Sequence, residues 1–180
     1  LYSKNLPAHD FRVGMAAFKM GKASAHSRRL DDAKAYYKQA LIGFKSEDGR
    51  NHRIELATRA LLVSTLESMG KSEEATEHCI AIGQMTPWNP TQSPKPLYRL
   101  EPRYPKEAAR EGINGWTKLS FSISETGFVE DIKLIERSNR VFDKVSIEAL
   151  KNWRYSPKFV EGKAVKAENL TLRLDYKLAV

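Results

Sequence analysis

A single cysteine, Cys79, stands in the 180 residues, so no disulfide forms within the chain and the redox compartment has to be read from elsewhere. No run of about 18 apolar residues occurs, which excludes a membrane-spanning helix from this segment. No secretory signal pattern opens the chain, and position 1 is Leu, so any membrane anchor or export signal would lie upstream. Phosphate-cradling glycine loops and a Gly-x-Ser-x-Gly elbow are missing. His9, His26, His52 and His78 lack metal-ligand spacing and all lie in the first half. His78 and Cys79 are adjacent on a helical segment, point to different sides and cannot jointly hold a metal. These absences point away from catalysis, metals and cofactors.

Charge is plentiful but not concentrated. The net charge is +8. Residues 1–95 carry 14 basic and 10 acidic side chains, and residues 96–180 carry 16 and 12, so each half contributes equally. Interspersed signs describe a solvated surface better than a nucleic-acid footprint, which gathers Lys and Arg on one face with stacking aromatics. No nucleic-acid partner is expected.

Six of the eight prolines fall between Pro87 and Pro105. Each fixes φ, removes a donor and pushes its predecessor toward extended geometry, so residues 87–99 are read as a stiff linker between residues 1–86 and residues 100–180. Before it, apolar residues recur at helical spacing: Phe11, Met15 and Phe18, then Leu30, Ala33, Tyr37, Ala40 and Phe44, then Ile54, Leu61 and Leu66, then Ala75, Cys79 and Ile82. Met20-Gly21 precedes Ala33, Tyr37 and Ala40 by the same interval at which Leu62-Val63 precedes Ala75, Cys79 and Ile82. The pattern resembles two tetratricopeptide repeats, with an insertion around Lys45 to Arg50 and Leu1 to Pro7 as a cap. Such helical-hairpin repeats imply a groove for an unknown protein partner, or a spacer.

After the linker the period changes. Pro105 suits the first position of a short helix, Lys106 to Glu111, and Gly112 its left-handed exit. Thr117, Leu119, Phe121 and Ile123 alternate with polar residues as a half-buried strand. Ser124 to Gly127 turns it back, with Gly127 at the position needing positive φ. Val129 is out of phase with Ile132 and Leu134, which predicts a bulge near Glu130 and Asp131. Asn139 caps a helix whose buried stripe is Phe142, Val145, Ala149, Leu150 and Trp153. Arg154 follows as a C-terminal cap or carboxylate partner, and Pro157 stops the helix. Glu161 to Lys163 is read as a loop. The last element alternates most clearly: Leu170, Leu172, Leu174, Tyr176 and Leu178 one way, Thr171, Arg173, Asp175 and Lys177 the other.

Pro102-x-Tyr104-Pro105, Gly112-x-x-Gly115, Gly127-x-Val129, Phe142-Asp143 and Trp153-Arg154-Tyr155-x-Pro157, in this order, resemble the TonB C-terminal domain family over residues 100–180. The resemblance implies an α+β fold in which all-α repeats precede a three-stranded antiparallel sheet backed by two helices. It implies Gram-negative, periplasmic, non-enzymatic energy transduction to an outer-membrane transporter, as in siderophore or iron uptake, with haem, vitamins and glycans as further cargoes. The transporter's short TonB-box peptide would pair with the last strand, and ExbB and ExbD would couple through the upstream segment. Partner-binding candidates are Glu101, Arg103 and Tyr104, then Leu170, Thr171, Leu172, Arg173, Leu174, Asp175, Tyr176 and Lys177. Pro105, Gly112, Gly115, Gly127, Phe142, Trp153 and Pro157 are read as structural.

The residues agree physically with that implication. An edge strand exposes unpaired amides and carbonyls that an extended peptide satisfies, and the charges of Arg173, Asp175 and Lys177 hinder indiscriminate pairing. Glu101 replaces the Gln of the family's Gln-Pro-x-Tyr-Pro motif, so an amide that gives and accepts becomes a charged acceptor. Tyr104 is expected to pack its ring and keep its hydroxyl in water. Trp116 stands where a smaller aliphatic residue is usual. The alternative function is a non-energised soluble adaptor of a TonB system or cell-wall component.

Overall fold

The computed structural model describes residues 6–45 and 52–178. The chain forms two compact units, Leu1–Thr86 and Pro87–Val180.

In the first unit, α1 (Phe11–His26) begins where the Asp10 carboxylate accepts the Arg12 amide at 2.8 Å. Its buried residues, Val13, Gly14, Ala17, Gly21 and Ser24, recur every three or four positions and so share one face. That face meets α2 (Leu30–Phe44) very closely: a Cβ placed on Gly43 would lie 2.6 Å from the Gly14 Cα, and one on Gly21 would lie 2.6 Å from the Tyr37 ring. Small residues therefore set the interhelical distance while Tyr37 and Phe44 fill it. A second hairpin, α3 (His52–Ser68) and α4 (Ser72–Met85), closes over Leu62, Val63 and Leu66 from one helix and Ala75, Cys79 and Ile82 from the other. The hairpins pack through α2 and α3, and Glu74 of α4 takes both Lys34 (2.6 Å) and Lys38 (3.4 Å) of α2. Of the expected insertion and cap, Ser46 to Arg50 and Leu1 to Asn5 lie outside the described residues.

The second unit is built on a three-stranded antiparallel sheet in the order β2-β1-β5, from β1 (Gly115–Ile123), β2 (Val129–Arg137) and β5 (Ala167–Tyr176). The short α5 (Lys106–Arg110) precedes β1, and α6 (Asp143–Lys151) follows β2. Pro105 occupies the N-cap of α5, one position earlier than expected, and the helix ends at Arg110 with Gly112 at φ 66°. Gly127 closes the β1–β2 turn at φ 86°, its amide donating to the Ser124 carbonyl at 3.0 Å. The β1–β2 register slips between Ser120 and Ser122, and Asp131 takes φ 52° there, which is the expected bulge. Two further slips occur, one against β2 between Lys118 and Leu119 and one between β1 and β5 at Phe121/Ile123, the latter accompanied by Asn169 at φ 58°.

Asn139 caps, through its side-chain oxygen, a single 3-10 turn at Arg140–Phe142 that runs into α6. The core beneath the sheet holds Leu119, Phe121, Ile123, Phe142, Leu150, Trp153, Tyr155, Leu174 and Tyr176. The α6 helix is shorter than its expected stripe, with Phe142 in the preceding turn and Trp153 beyond the Asn152 C-cap, and two further readings here need correction. Glu161-Gly162 is not a plain loop but the turn of a small hairpin, β3 (Lys158–Val160) with β4 (Lys163–Val165), whose turn residues have φ 49° and 78°. Arg154 lies beyond the Asn152 C-cap of α6, 2% exposed, with its guanidinium 3.7 Å from the centroid of the Phe128 ring and one nitrogen donating to the Thr126 carbonyl. It braces the β1–β2 turn instead of ending the helix.

Candidate partner-binding edge

Among the described residues β5 has one neighbour, β1, so its other side there presents the main-chain groups of a sheet edge. The bulge at Asn169 divides the strand, leaving a regular stretch from Leu170 to Tyr176 in register with Phe121 to Gly115. Leu170 and Leu172 are half-buried and Leu174 and Tyr176 buried, while Thr171, Arg173 and Asp175 are exposed. The exposed row is ordered: Arg173 pairs with Asp175 at 2.9 Å and lays its guanidinium 4.3 Å from the centroid of the Trp116 ring across β1. Trp116 thus packs onto the solvent face of β5. Lys177 is exposed past the strand end, and the next amide, Leu178, donates to Asn114 Oδ1 at 2.9 Å.

The end of β5 is anchored from below. Ser146 of α6 donates to the Phe142 carbonyl (2.7 Å) and accepts from Thr117 of β1 (2.8 Å). Its one hydrogen is then used, so the Tyr176 hydroxyl, 2.6 Å away, is the donor of the third bond. Burial holds the Tyr176 phenol above its ordinary pKa. Ser146→Ala strands two buried hydroxyls and is expected to lower stability by about 1–3 kcal/mol in a urea melt.

The segment before α5 lies on the same core. The Tyr104 ring meets Phe142 edge-on at 5.8 Å and Tyr176 at 6.1 Å. Its hydroxyl is not left to water: it donates to the Ile113 carbonyl at 2.6 Å. Glu101 and Arg103 are exposed, Glu101 paired with Arg99 at 2.9 Å, and both border a groove of about 470 Å³ whose apolar wall includes Leu100, Pro102, Val145 and Ala149. Glu101 and Arg103 therefore sit on the α6 side, separate from the β5 residues, with Tyr104 between them and Tyr176.

The residues read as structural lie as follows. A Cβ at Gly115 would run into Ser138 Oγ and the Phe142 ring. Phe142, Trp153 and Pro157 are buried, and the Trp153 indole donates to the Leu100 carbonyl at 2.9 Å. The reading of the sequence missed Ser146 and Asn114, whose positions on helix and loop carry no periodic signal, and the pairing of Leu97 and Tyr98 with Arg154.

Residues 101–178 match the family model described as Gram-negative bacterial TonB protein C-terminal. Curated relatives include Protein TonB of Pseudomonas aeruginosa, 38% identical over 39% of this chain and 21% of that protein. Protein TonB of Escherichia coli is 29% identical over 36% of this chain and 27% of its own length. The chain thus spans about a fifth to a quarter of these two relatives. Among solved structures, the NMR structure of the Pseudomonas aeruginosa TonB C-terminal domain aligns at 32% identity, covering 51% of this chain and 92% of that one with a TM-score of 0.43. Over residues 101–178 the chain belongs to the TonB C-terminal domain family.

Proposed function

We propose that the chain is the periplasmic part of a TonB-like energy transducer, and that an outer-membrane transporter's TonB-box peptide adds as a strand to the free edge of β5 over Leu170 to Lys177. The observation that carries this is the position of β5 at the border of the β2-β1-β5 sheet, with an unbroken register to β1 from Leu170 to Tyr176 and no second partner strand among the described residues. Main-chain pairing supplies affinity with little demand on sequence, and the alternating rows of β5 sort the guest's side chains. A force along the paired strands loads several hydrogen bonds at once, so a complex of modest affinity transmits traction. Glu101, Arg103 and Tyr104 form a second contact. Coupling to ExbB and ExbD runs through a segment upstream of Leu1, and the helical repeats contact another envelope protein.

The test is an amide-resolved titration of the isotopically labelled chain with synthetic TonB-box peptides. Shifts concentrated in Leu170 to Lys177 are expected, with weaker ones at Glu101 to Tyr104. A peptide N-methylated at alternate backbone positions should bind at least about tenfold more weakly in one of the two phases, because only one phase faces the β5 edge. Unperturbed β5 amides, or equal binding of both N-methylated phases, overturn strand addition.

A further inference from the structure

The family match begins at residue 101, but the folded unit begins fourteen residues earlier. The proline-rich stretch read as a linker lies within that unit. Trp88 packs, half-buried, against the same core that holds Phe121 and Tyr155. Asn89 to Thr91 make a local turn in which Asn89 Oδ1 accepts the Thr91 amide at 2.9 Å, and Asn89 to Ser93 are exposed. The chain then returns to the domain. Leu97 and Tyr98 donate their amides to the Arg154 carbonyl at 2.7 and 3.3 Å, and Arg154 returns its amide to the Tyr98 carbonyl at 3.0 Å. Arg154 bridges onward to Phe128, so Tyr98 extends a short ladder of main-chain pairs. One step later Arg99 covers the Trp153 ring, its guanidinium carbon 4.8 Å from the centroid, and the Trp153 indole holds the Leu100 carbonyl.

We propose that Trp88 to Leu100 is a tension-released strap, latched by Trp88, by the Tyr98–Arg154 bridge and by Trp153, which peels from the domain before the sheet is loaded. The geometry decides the order of events. Tension entering at Pro87 reaches Trp88 first, then the three hydrogen bonds that Leu97 and Tyr98 share with Arg154, then Arg99 and Leu100, so the latches are loaded one after another. Strands loaded along their length share the force, whereas contacts met in series do not, so the strap yields first. Thirteen residues released to an extended path add about 30–45 Å of length. Under the traction reading above, that length is slack taken up before a guest on β5 is pulled; the peeling itself is a property of this chain alone and stands or falls without the guest.

The test is single-molecule stretching of the full chain between thiol handles introduced as Thr86→Cys and Leu178→Cys, with Cys79→Ala so that only the handles react. The expected record is a first, low-force step of about 30–45 Å followed by a separate larger one. Trp88→Ala and Arg99→Ala each touch the strap and should raise the rate of the first step roughly three- to tenfold while leaving the second unchanged. Release of strap and sheet in a single event overturns the proposal, and so does a first step whose rate neither substitution alters.

Discussion

Replacing Phe142 by alanine is expected to destabilise the second unit by about 3–5 kcal/mol, and to lower its melting temperature by roughly 15 °C or more. Phe142 is fully buried and stands where three parts of the domain meet. Its ring stacks on Tyr176 at a centroid distance of 4.3 Å, meets Tyr104 edge-on, and fills the space over Gly115 that a side chain there would otherwise occupy. Truncation therefore opens a cavity between the end of β5, the segment before α5 and the first residue of β1. Gly115 has no side chain with which to close it. Scanning calorimetry of the variant gives the loss directly, and Phe142→Leu should recover more than half of it by keeping most of the volume. The amides of Leu174 to Tyr176 should lose hydrogen-exchange protection in the alanine variant before those of Phe121 to Ile123, since the cavity lies under one end of the sheet. A loss below about 1 kcal/mol would mean that the aromatic cluster does not join these elements.

The elements legible in the sequence were those whose period is repeated often enough to outvote exceptions. β5 alternates over seven residues, α6 with the residues flanking it presents a stripe from Phe142 to Trp153, and Gly127 marks a turn that needs positive φ. The two bulges show where that signal ends. In β2 the phase break was visible because Val129 and Ile132 are both strongly apolar. In β5 the same kind of break, at Asn169, puts Ala167 on the core side with Leu170, and alanine is too weakly apolar to announce it. β3 and β4 have three residues each, too few for any period, although Glu161-Gly162 between Phe159-Val160 and Ala164-Val165 was a hairpin signal. Proline density marked Pro87 to Pro96 as a stretch no helix runs through but not what it rests on, because packing of Trp88 depends on a core assembled from residues far along the chain. Arg154 was hidden for a different reason. A guanidinium is read as surface, and only the tertiary arrangement supplies the Phe128 ring and the Thr126 carbonyl that make its burial tolerable. At the candidate edge, the family motifs placed the strand, whereas the Arg173–Trp116 stack and the Ser146 network required the register of three separate elements.

Between about pH 6.5 and pH 4 the first unit is expected to lose on the order of 2–3 kcal/mol of stability through His78 alone. Burial among α2, α3 and α4 is the main reason that the imidazole pKa falls from its ordinary 6.5 to about 4, and the Arg59 and Lys38 cations push the same way while Glu74 opposes them. Arg59 Nη1 lies 3.4 Å from His78 Nδ1, so the ring accepts from the guanidinium only when it is neutral. In this window the unfolded chain binds a proton at His78 and the folded chain does not, so stability falls as pH falls, and the loss is complete once the folded ring also protonates. The carboxylates act lower. Glu74 and Asp10 are held below their ordinary range by Lys34 and Arg12, so what they contribute is intact above about pH 4.5 and disappears beneath it. Because Trp88, Trp116 and Trp153 all belong to the second unit, far-ultraviolet circular dichroism follows the helices while tryptophan fluorescence follows the sheet domain. Urea melts repeated from neutral pH down to about pH 4.5 should show the dichroism midpoint moving well before the fluorescence midpoint. His78→Asn should flatten the dichroism curve across that interval and leave the fluorescence curve unchanged. Parallel slopes in the two proteins would mean that some other group carries the acid sensitivity of the helical unit.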